Sequence, residues 1–384
     1  MIFPQTTLDL SGERFIVDYR LTGIDEAAAR TKAEGVCLEQ TVEAPLNLLA
    51  EDDIRASVVG QIESLESVAG NRFNASISYA VESTGCELTQ LLNVIFGNSS
   101  MQPGIRVQRL CLPESLLSQF TGPRFGCVGV RNLMEVAKRP LLCSALKPMG
   151  YSAKSLADLA RSMALGGIDI IKDDHGLANQ PFAPFQERLQ QCADAVNEAN
   201  QRSGYRCIYV PNITGPADQI VTRAFEAMEA RAGGVMLAPG LTGFDVMRQL
   251  AADDAFDLPI LSHPAWLGSY AVHPDNGIAH RVIFGQLPRL AGADATIFVN
   301  YGGRFSFSPQ DCRGIVEGAS MSMGQLGPIF PTPGGGMTLA KLPEMIEFYG
   351  SDVILLVAGG LYGHGPDLGE NCRQFRQYVE QVYS

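Results

Sequence analysis

Two rhythms of apolar and polar positions divide the chain. Over the first 120 or so residues, alternating stretches are interleaved with helically spaced ones. RFIVDYRL (14–21) and NASISYAVE (74–82) alternate as half-buried strands do, and Arg106 to Leu112 reads as a further strand. DEAAARTKA (25–33) and Glu87 to Phe96 carry the i, i+3, i+4 spacing of amphipathic helices. A turn-rich stretch, TGPRFGC (121–127), follows. It predicts an N-terminal α+β unit over residues 1–125 and a second unit over 126–384.

From Pro140 the pattern changes. Short apolar runs without alternation recur: LLCSAL (141–146), IDIIK (168–172), RCIYVPN (206–212), GVMLAP (234–239), LPILSH (258–263), ADATIFVN (293–300), PIFPT (328–332) and DVILLVAGG (352–360). Helical patterns lie between them, among others Ala153 to Leu165, Phe185 to Arg202, Phe244 to Ala252 and Leu339 to Tyr349. Apolar runs of this kind suit strands buried on both faces of a parallel sheet. Eight βα units over about 245 residues match the size and count of a TIM barrel. A doubly wound open sheet is the competitor, and eight regular units favour closure. The predicted class is α/β: a C-terminal (β/α)8 TIM barrel with a smaller N-terminal α+β domain.

Composition narrows the function classes. The 384 residues are 46% hydrophobic and 18% charged, with a formal net charge of −12. An acidic chain lacks the basic surface that nucleic acid requires. There is no run of about 18 apolar residues, so no membrane span is expected. The start, MIFPQTTLDL, lacks the basic and apolar regions of a signal peptide. Nine scattered cysteines without a CxxC pair suit reduced thiols better than disulfides or a zinc site. The expected location is the cytoplasm.

In a TIM barrel the chemistry sits at the C-terminal ends of the strands. Those ends carry Lys147, then Lys172-Asp173-Asp174-His175, Asn212, His263 and Arg304, with glycines at 334–336 and 359–360. Carboxylates beside an imidazole, or beside a modified lysine, form an oxygen and nitrogen set suited to Mg2+ or a similar hard ion. Such a cation stabilises an enolate. The opposing reading is a solvated loop with charge pairs. Lys147 is either an acid/base with a depressed pKa or a lysine that snorkels. His263 is either a satisfied core histidine or a proton shuttle. The glycines are turn residues, or backbone donors to a phosphate, which the loops after strands 7 and 8 of this fold often bind.

These residues resemble the RuBisCO superfamily, and within it the non-carboxylating RuBisCO-like proteins of form IV. SALKPMGYS is similar to the family's strand-1 segment, whose lysine is an acid/base; the resemblance places that role on Lys147. GGIDIIKDDHGL is similar to the metal motif, which implies a Mg2+-binding carbamate on Lys172, with ligands at Asp174 and His175. Asn212, His263 and Arg304 match site residues after strands 3, 5 and 6. Gly335, Gly336, Gly359 and Gly360 match a phosphate cradle. In the N-terminal part, LEQT implies a catalytic Glu39, and LLNVIFGN implies Asn93. Both would reach a partner's site in a homodimer with shared active sites.

The departures are as informative. The third metal ligand of the family is a glutamate, and here it is His175. The second lysine of strand 1 is Met149, and the arginine after the strand-5 histidine is Pro264. Ile297 replaces a histidine and Gly334 a serine. RuBP carboxylation is therefore not expected; a monophosphorylated keto sugar or keto sugar acid is. His175 also speaks against the diketo-methylthiopentyl-phosphate enolases. Two enolising reactions remain, decarboxylation of a 3-oxo-isoapionate-4-phosphate type substrate and isomerisation of 5-methylthioribulose-1-phosphate. Arg304 favours the first, because a guanidinium fork matches a carboxylate. A different class, an inactive sugar-phosphate-binding regulator, is opposed by the surviving Lys147, Lys172, Asp174 and His263.

Overall fold

The computed structural model describes residues 3–22 and 25–383, so Met1 and Ile2 of the N-terminal segment lie outside the described residues. Four strands open the chain: β1 (Arg14–Thr22), β2 (Gln61–Val68), β3 (Arg72–Ala80) and β4 (Ile105–Cys111). They form an antiparallel sheet in the order β4-β1-β3-β2. In β1 every second residue is buried (Phe15, Val17, Tyr19, Leu21), as the alternation predicts. The helices Glu26–Glu39 and Leu88–Phe96 accompany this sheet. The first runs past its predicted end at Ala33, because Val36 and Cys37 still face the core.

β2 went unnoticed in the sequence, for a physical reason. A bulge between Ile62 and Ser64 shifts the register, so Ile62 and Leu65 are three apart and break the period of two. The strand is also an edge, and most of it is exposed or half-buried.

The second sheet has eight parallel strands: β5 (Leu141–Leu146), β6 (Ile170–Asp173), β7 (Ile208–Val210), β8 (Val235–Leu237), β9 (Ile260–Ser262), β11 (Ala295–Val299), β12 (Phe330–Gly334) and β13 (Ile354–Leu356). The two-residue β10 (Gly277–Ile278) leaves this set and pairs with β4, so the barrel segment adds a fifth strand to the N-terminal sheet. β7 and β8 are joined by a single bridge, Asn212 to Met236, reinforced by Ile213 N–H to Met236 O at 3.0 Å. That bridge closes the ring. All eight predicted strands are present: β5 matches its apolar run from Leu141 to Leu146, β6 and β12 run on to Asp173 and Gly334, and the other five are shorter than the runs that marked them.

The barrel is packed inside. Leu141, Cys143, Ile170, Val210, Met236, Leu261, Ala295, Ile297, Phe330 and Ile354 form one cluster. The helix Gly126–Met134 plugs its lower end with Cys127, Val130 and Met134. Buried Asp294 holds that plug, accepting the Phe125 and Gly126 amides at 2.7 and 2.8 Å and the Ile260 amide at 2.9 Å. Among the described residues, no helix is long and apolar enough to cross a membrane.

Candidate active site

A cavity of about 1050 Å3 opens at the C-terminal ends of the strands. Its wall includes Lys147, Lys172, Asp174, His175, His263, Arg304, Gly335, Gly336, Gly359 and Gly360. The strand pleat explains the selection on β6. Ile170, Lys172 and Asp174 point inward at intervals of two, and the intervening Asp173 points outward. There Asp173 meets Arg188 at 3.1 Å, both fully buried, and also accepts from the Tyr209 hydroxyl at 2.7 Å. Breaking such a pair costs about 3–5 kcal/mol. Asp173 is therefore structural, and Asp174 is the carboxylate available for chemistry.

Lys172 is 2% exposed, and its Nζ donates to the Asp173 carbonyl at 2.9 Å. Burial pulls its pKa below the ordinary lysine range, against the opposing pull of Cys143, Asp174 and Asp173. Asp174 Oδ1 lies 3.4 Å from Lys147 Nζ and 3.5 Å from His175 Nδ1. Burial raises the Asp174 pKa, but the contact with His175 and the charges of Lys147 and Lys172 outweigh it and hold the group well below the usual carboxylate range. His175 stacks on His263 with ring centroids 4.8 Å apart. Burial, then the charges of Lys172 and His175, push the His263 pKa far down, so its ring is neutral. Nδ1 of His263 accepts the Ala265 amide at 3.2 Å, which leaves the ring proton on Nε2.

The glycine turns differ in what they permit. Gly335 and Gly336 have φ of 104° and 68°, a region that side chains disfavour. A Cβ on Gly360 would meet the Met337 carbonyl at 1.9 Å, whereas one on Gly359 would face open space. The two turns thus press their backbones together and leave one face of each open to the cavity.

Among the described residues, no group of three or more His, Cys, Asp and Glu side chains is arranged around a common point for a metal. Asp174 and His175 would supply two donors to a cation, and Lys172 is the group placed to add a third. A buried, easily deprotonated amine beside them is chemically suited to become a carbamate oxygen donor. On that basis the residues fit Mg2+.

Three expected site residues lie elsewhere. Asn212 is 2% exposed and is not in the cavity wall; its Nδ2 donates to the His175 and Leu177 carbonyls at 3.1 and 2.9 Å. It braces the loop that runs from Asp174 to Leu177. Glu39 and Asn93 belong to the N-terminal sheet unit, and among the described residues the wall contains none before Ala145. Asn93 turns toward Gln90 at 3.4 Å, while Asn98 donates to Glu39 at 3.0 Å. The asparagine in contact with Glu39 within the chain is thus Asn98, five residues on. Residue spacing could not separate two asparagines in one short stretch, although only Asn98 follows the turn glycine Gly97.

A family model, the ribulose bisphosphate carboxylase large chain catalytic domain, matches residues 126–381. The chain belongs to the RuBisCO large-chain family. A ribulose bisphosphate carboxylase-like protein of Rhodopseudomonas palustris is 38% identical over 97% of this chain and 99% of its own. A 5-methylthioribulose-1-phosphate isomerase of Rhodospirillum rubrum is 37% identical over 94% of this chain and 95% of its own. The crystal structure of a Rubisco-like protein from Rhodopseudomonas palustris superposes with a TM-score of 0.87 at 37% identity, covering 97% of this chain and 99% of that one.

In this RuBisCO-like chain most of the remaining wall is apolar, with Ser269 and Ser306 as polar exceptions. It includes Val272, Phe284, Ile297, Phe298, Phe305, Phe307, Met337 and Trp266. The sequence reading missed this aromatic group, because its members are spread over loops and helices that only the barrel brings together. Arg304 is exposed, lies 4.9 Å over the Phe305 ring, and has no ion-pair partner among the described residues.

Proposed function

We propose that the protein is a Mg2+-dependent enolising isomerase acting on a monophosphorylated ketose of the 5-methylthioribulose-1-phosphate class. The observation that carries the reading is that His263, Lys147, Lys172 and Asp174 line one cavity, with His263 Nδ1 accepting the Ala265 amide and Nε2 left to donate. Isomerisation moves a proton between carbons through an enediol, which needs a neutral donor near the oxygen and a proton carrier near the carbon. His263 Nε2–H donates to the substrate's keto oxygen. Lys147, tethered to Asp174, holds the proton that leaves and returns to carbon. Backbone amides of Gly335, Gly336, Gly359 and Gly360 hold the phosphate.

Carbamylated Lys172, Asp174 and His175 would hold the Mg2+. When bound there, it supplies positive charge that offsets the negative charge developing at the keto oxygen. Residues 126–384 form the catalytic unit. Residues 1–125 complete a partner's site through Glu39 and Asn98 in a homodimer.

Decarboxylation of a 3-oxo-isoapionate-4-phosphate type substrate is the second reading. The unpaired guanidinium of Arg304 at the cavity favours it. The preference shifts to isomerisation because that guanidinium rests on Phe305 and because an isomerase is among the relatives that match nearly end to end.

The test is incubation with each phosphate in deuterated buffer with Mg2+ and bicarbonate, followed by NMR and CO2 detection. Isomerase activity gives a rearranged, deuterated ketose phosphate without CO2. Release of CO2 from the oxo acid alone selects the second reading. Tight binding without turnover or exchange marks a sugar-phosphate-binding protein and overturns both.

A further inference from the structure

Trp266 is the chain's one tryptophan, and it stands 69% exposed on the cavity wall. Its φ is 72°, a left-handed backbone that a bulky side chain rarely adopts. Several contacts hold it there. The Leu267 amide donates to the Pro264 carbonyl at 3.1 Å, and the Ser269 hydroxyl donates to the Trp266 carbonyl at 2.8 Å. Leu267 is buried, and the Ala265 carbonyl presses so close to Gly240 that a Cβ there would lie 2.4 Å away. Farther along the loop, buried Arg106 of the N-terminal sheet binds the carbonyls of Ala271, His273 and Asn276. The turn is therefore rigid, and it holds an indole in solvent on a disfavoured backbone.

An exposed indole on strained backbone gains little from burial in the free protein, and strain of this kind gathers at binding sites. Phe305, 52% exposed, and Val272, 58% exposed, share the wall with Trp266. We infer that Trp266, with Phe305 and Val272, forms a subsite for an apolar substituent on the substrate and sets specificity for it. This rests on the proposed isomerase reading and deepens it. The phosphate occupies the glycine turns after β12 and β13, the reacting carbons lie by His263 and Lys147, and an alkylthio-sized group contacts the indole. Trp266 is a specificity residue; it takes no part in proton transfer.

The single tryptophan makes binding directly visible. Emission of the wild-type protein is titrated with 5-methylthioribulose-1-phosphate and with ribulose 1-phosphate, which lacks the apolar group. The methylthio compound is expected to shift or quench the emission, and ribulose 1-phosphate at saturation to leave it nearly unchanged. Kinetically, Trp266→Gly should narrow the KM preference for the methylthio substrate over ribulose 1-phosphate by about tenfold or more, the scale of one small apolar group in a pocket. Trp266→Phe should retain part of the preference. Glycine suits the left-handed φ, so the thermal midpoint should not fall.

Equal emission responses to both ligands, or an unchanged KM ratio in Trp266→Gly, overturns the subsite. The two proposals fail separately. If neither ketose is turned over but emission still follows the methylthio compound, the isomerase reading falls and the subsite stands.

Discussion

His175 is the residue at which this chain leaves the metal motif that it otherwise resembles. An imidazole brings a donor without the negative charge of a carboxylate, so a cation there keeps more of its own positive charge. His175→Glu is expected to tighten Mg2+ binding by about tenfold or more and to change turnover, read by calorimetric titration and by rate against Mg2+ concentration. Unchanged affinity and rate would mean that position 175 does not set the chemistry. Its neighbours show how much a strand pleat decides. Asp173 and Asp174 are adjacent and chemically alike, yet one is locked to Arg188 and the other faces the cavity. Adjacent carboxylates in a sequence look interchangeable until the direction of the strand is known.

Among the elements, the loop after β9 couples the barrel to the N-terminal sheet, and His280 sits where it ends. Its ring is 8% exposed, packs edge-on against Phe307 at 4.3 Å, and has Nδ1 3.1 Å from Asp311. Burial lowers its pKa to about 4; Asp311 opposes the shift and the Arg106 charge adds to it. Below pH 6.5 the unfolded imidazole takes a proton that the folded one resists until about pH 4. Stability is therefore full above 6.5 and falls as the pH drops, by about 3 kcal/mol at most from this group. Urea midpoints measured from pH 7 to 4 should decline more steeply for the wild type than for His280→Gln. Parallel declines would remove His280 as the cause. The elements also show where pattern reading works. Helices Ala153–Leu165 and Phe244–Ala252 match their predicted spans. β2 was hidden because its bulge destroyed the only signal an edge strand offers.

At the scale of the whole molecule, the cavity wall contains none of the described residues of the N-terminal sheet unit, although Glu39 and Asn98 are paired there at 3.0 Å. Under the proposed function a second copy supplies them. Glu39→Gln and Lys172→Ala should each lose nearly all activity alone. Co-expressed, they should recover part of it, because a mixed dimer holds one site with both residues intact. No recovery in a verified mixed dimer would place Glu39 outside the shared site.

The sequence by itself determined the eight strands, the closed-barrel class and the set of polar strand ends. These depend on local periodicity and on a fold rule that directs chemistry to one face. Lys147, Lys172, Asp174, His175 and His263 were legible for that reason, and they do share one cavity. Only the tertiary structure decided that Asn212 braces a loop, that Asn98 contacts Glu39, and that Trp266 joins Phe305 and Val272 on an apolar wall. Each of these turns on distance between residues far apart in the chain. Such contacts leave no period in the sequence, because they are set by how closed strands and their loops converge in space.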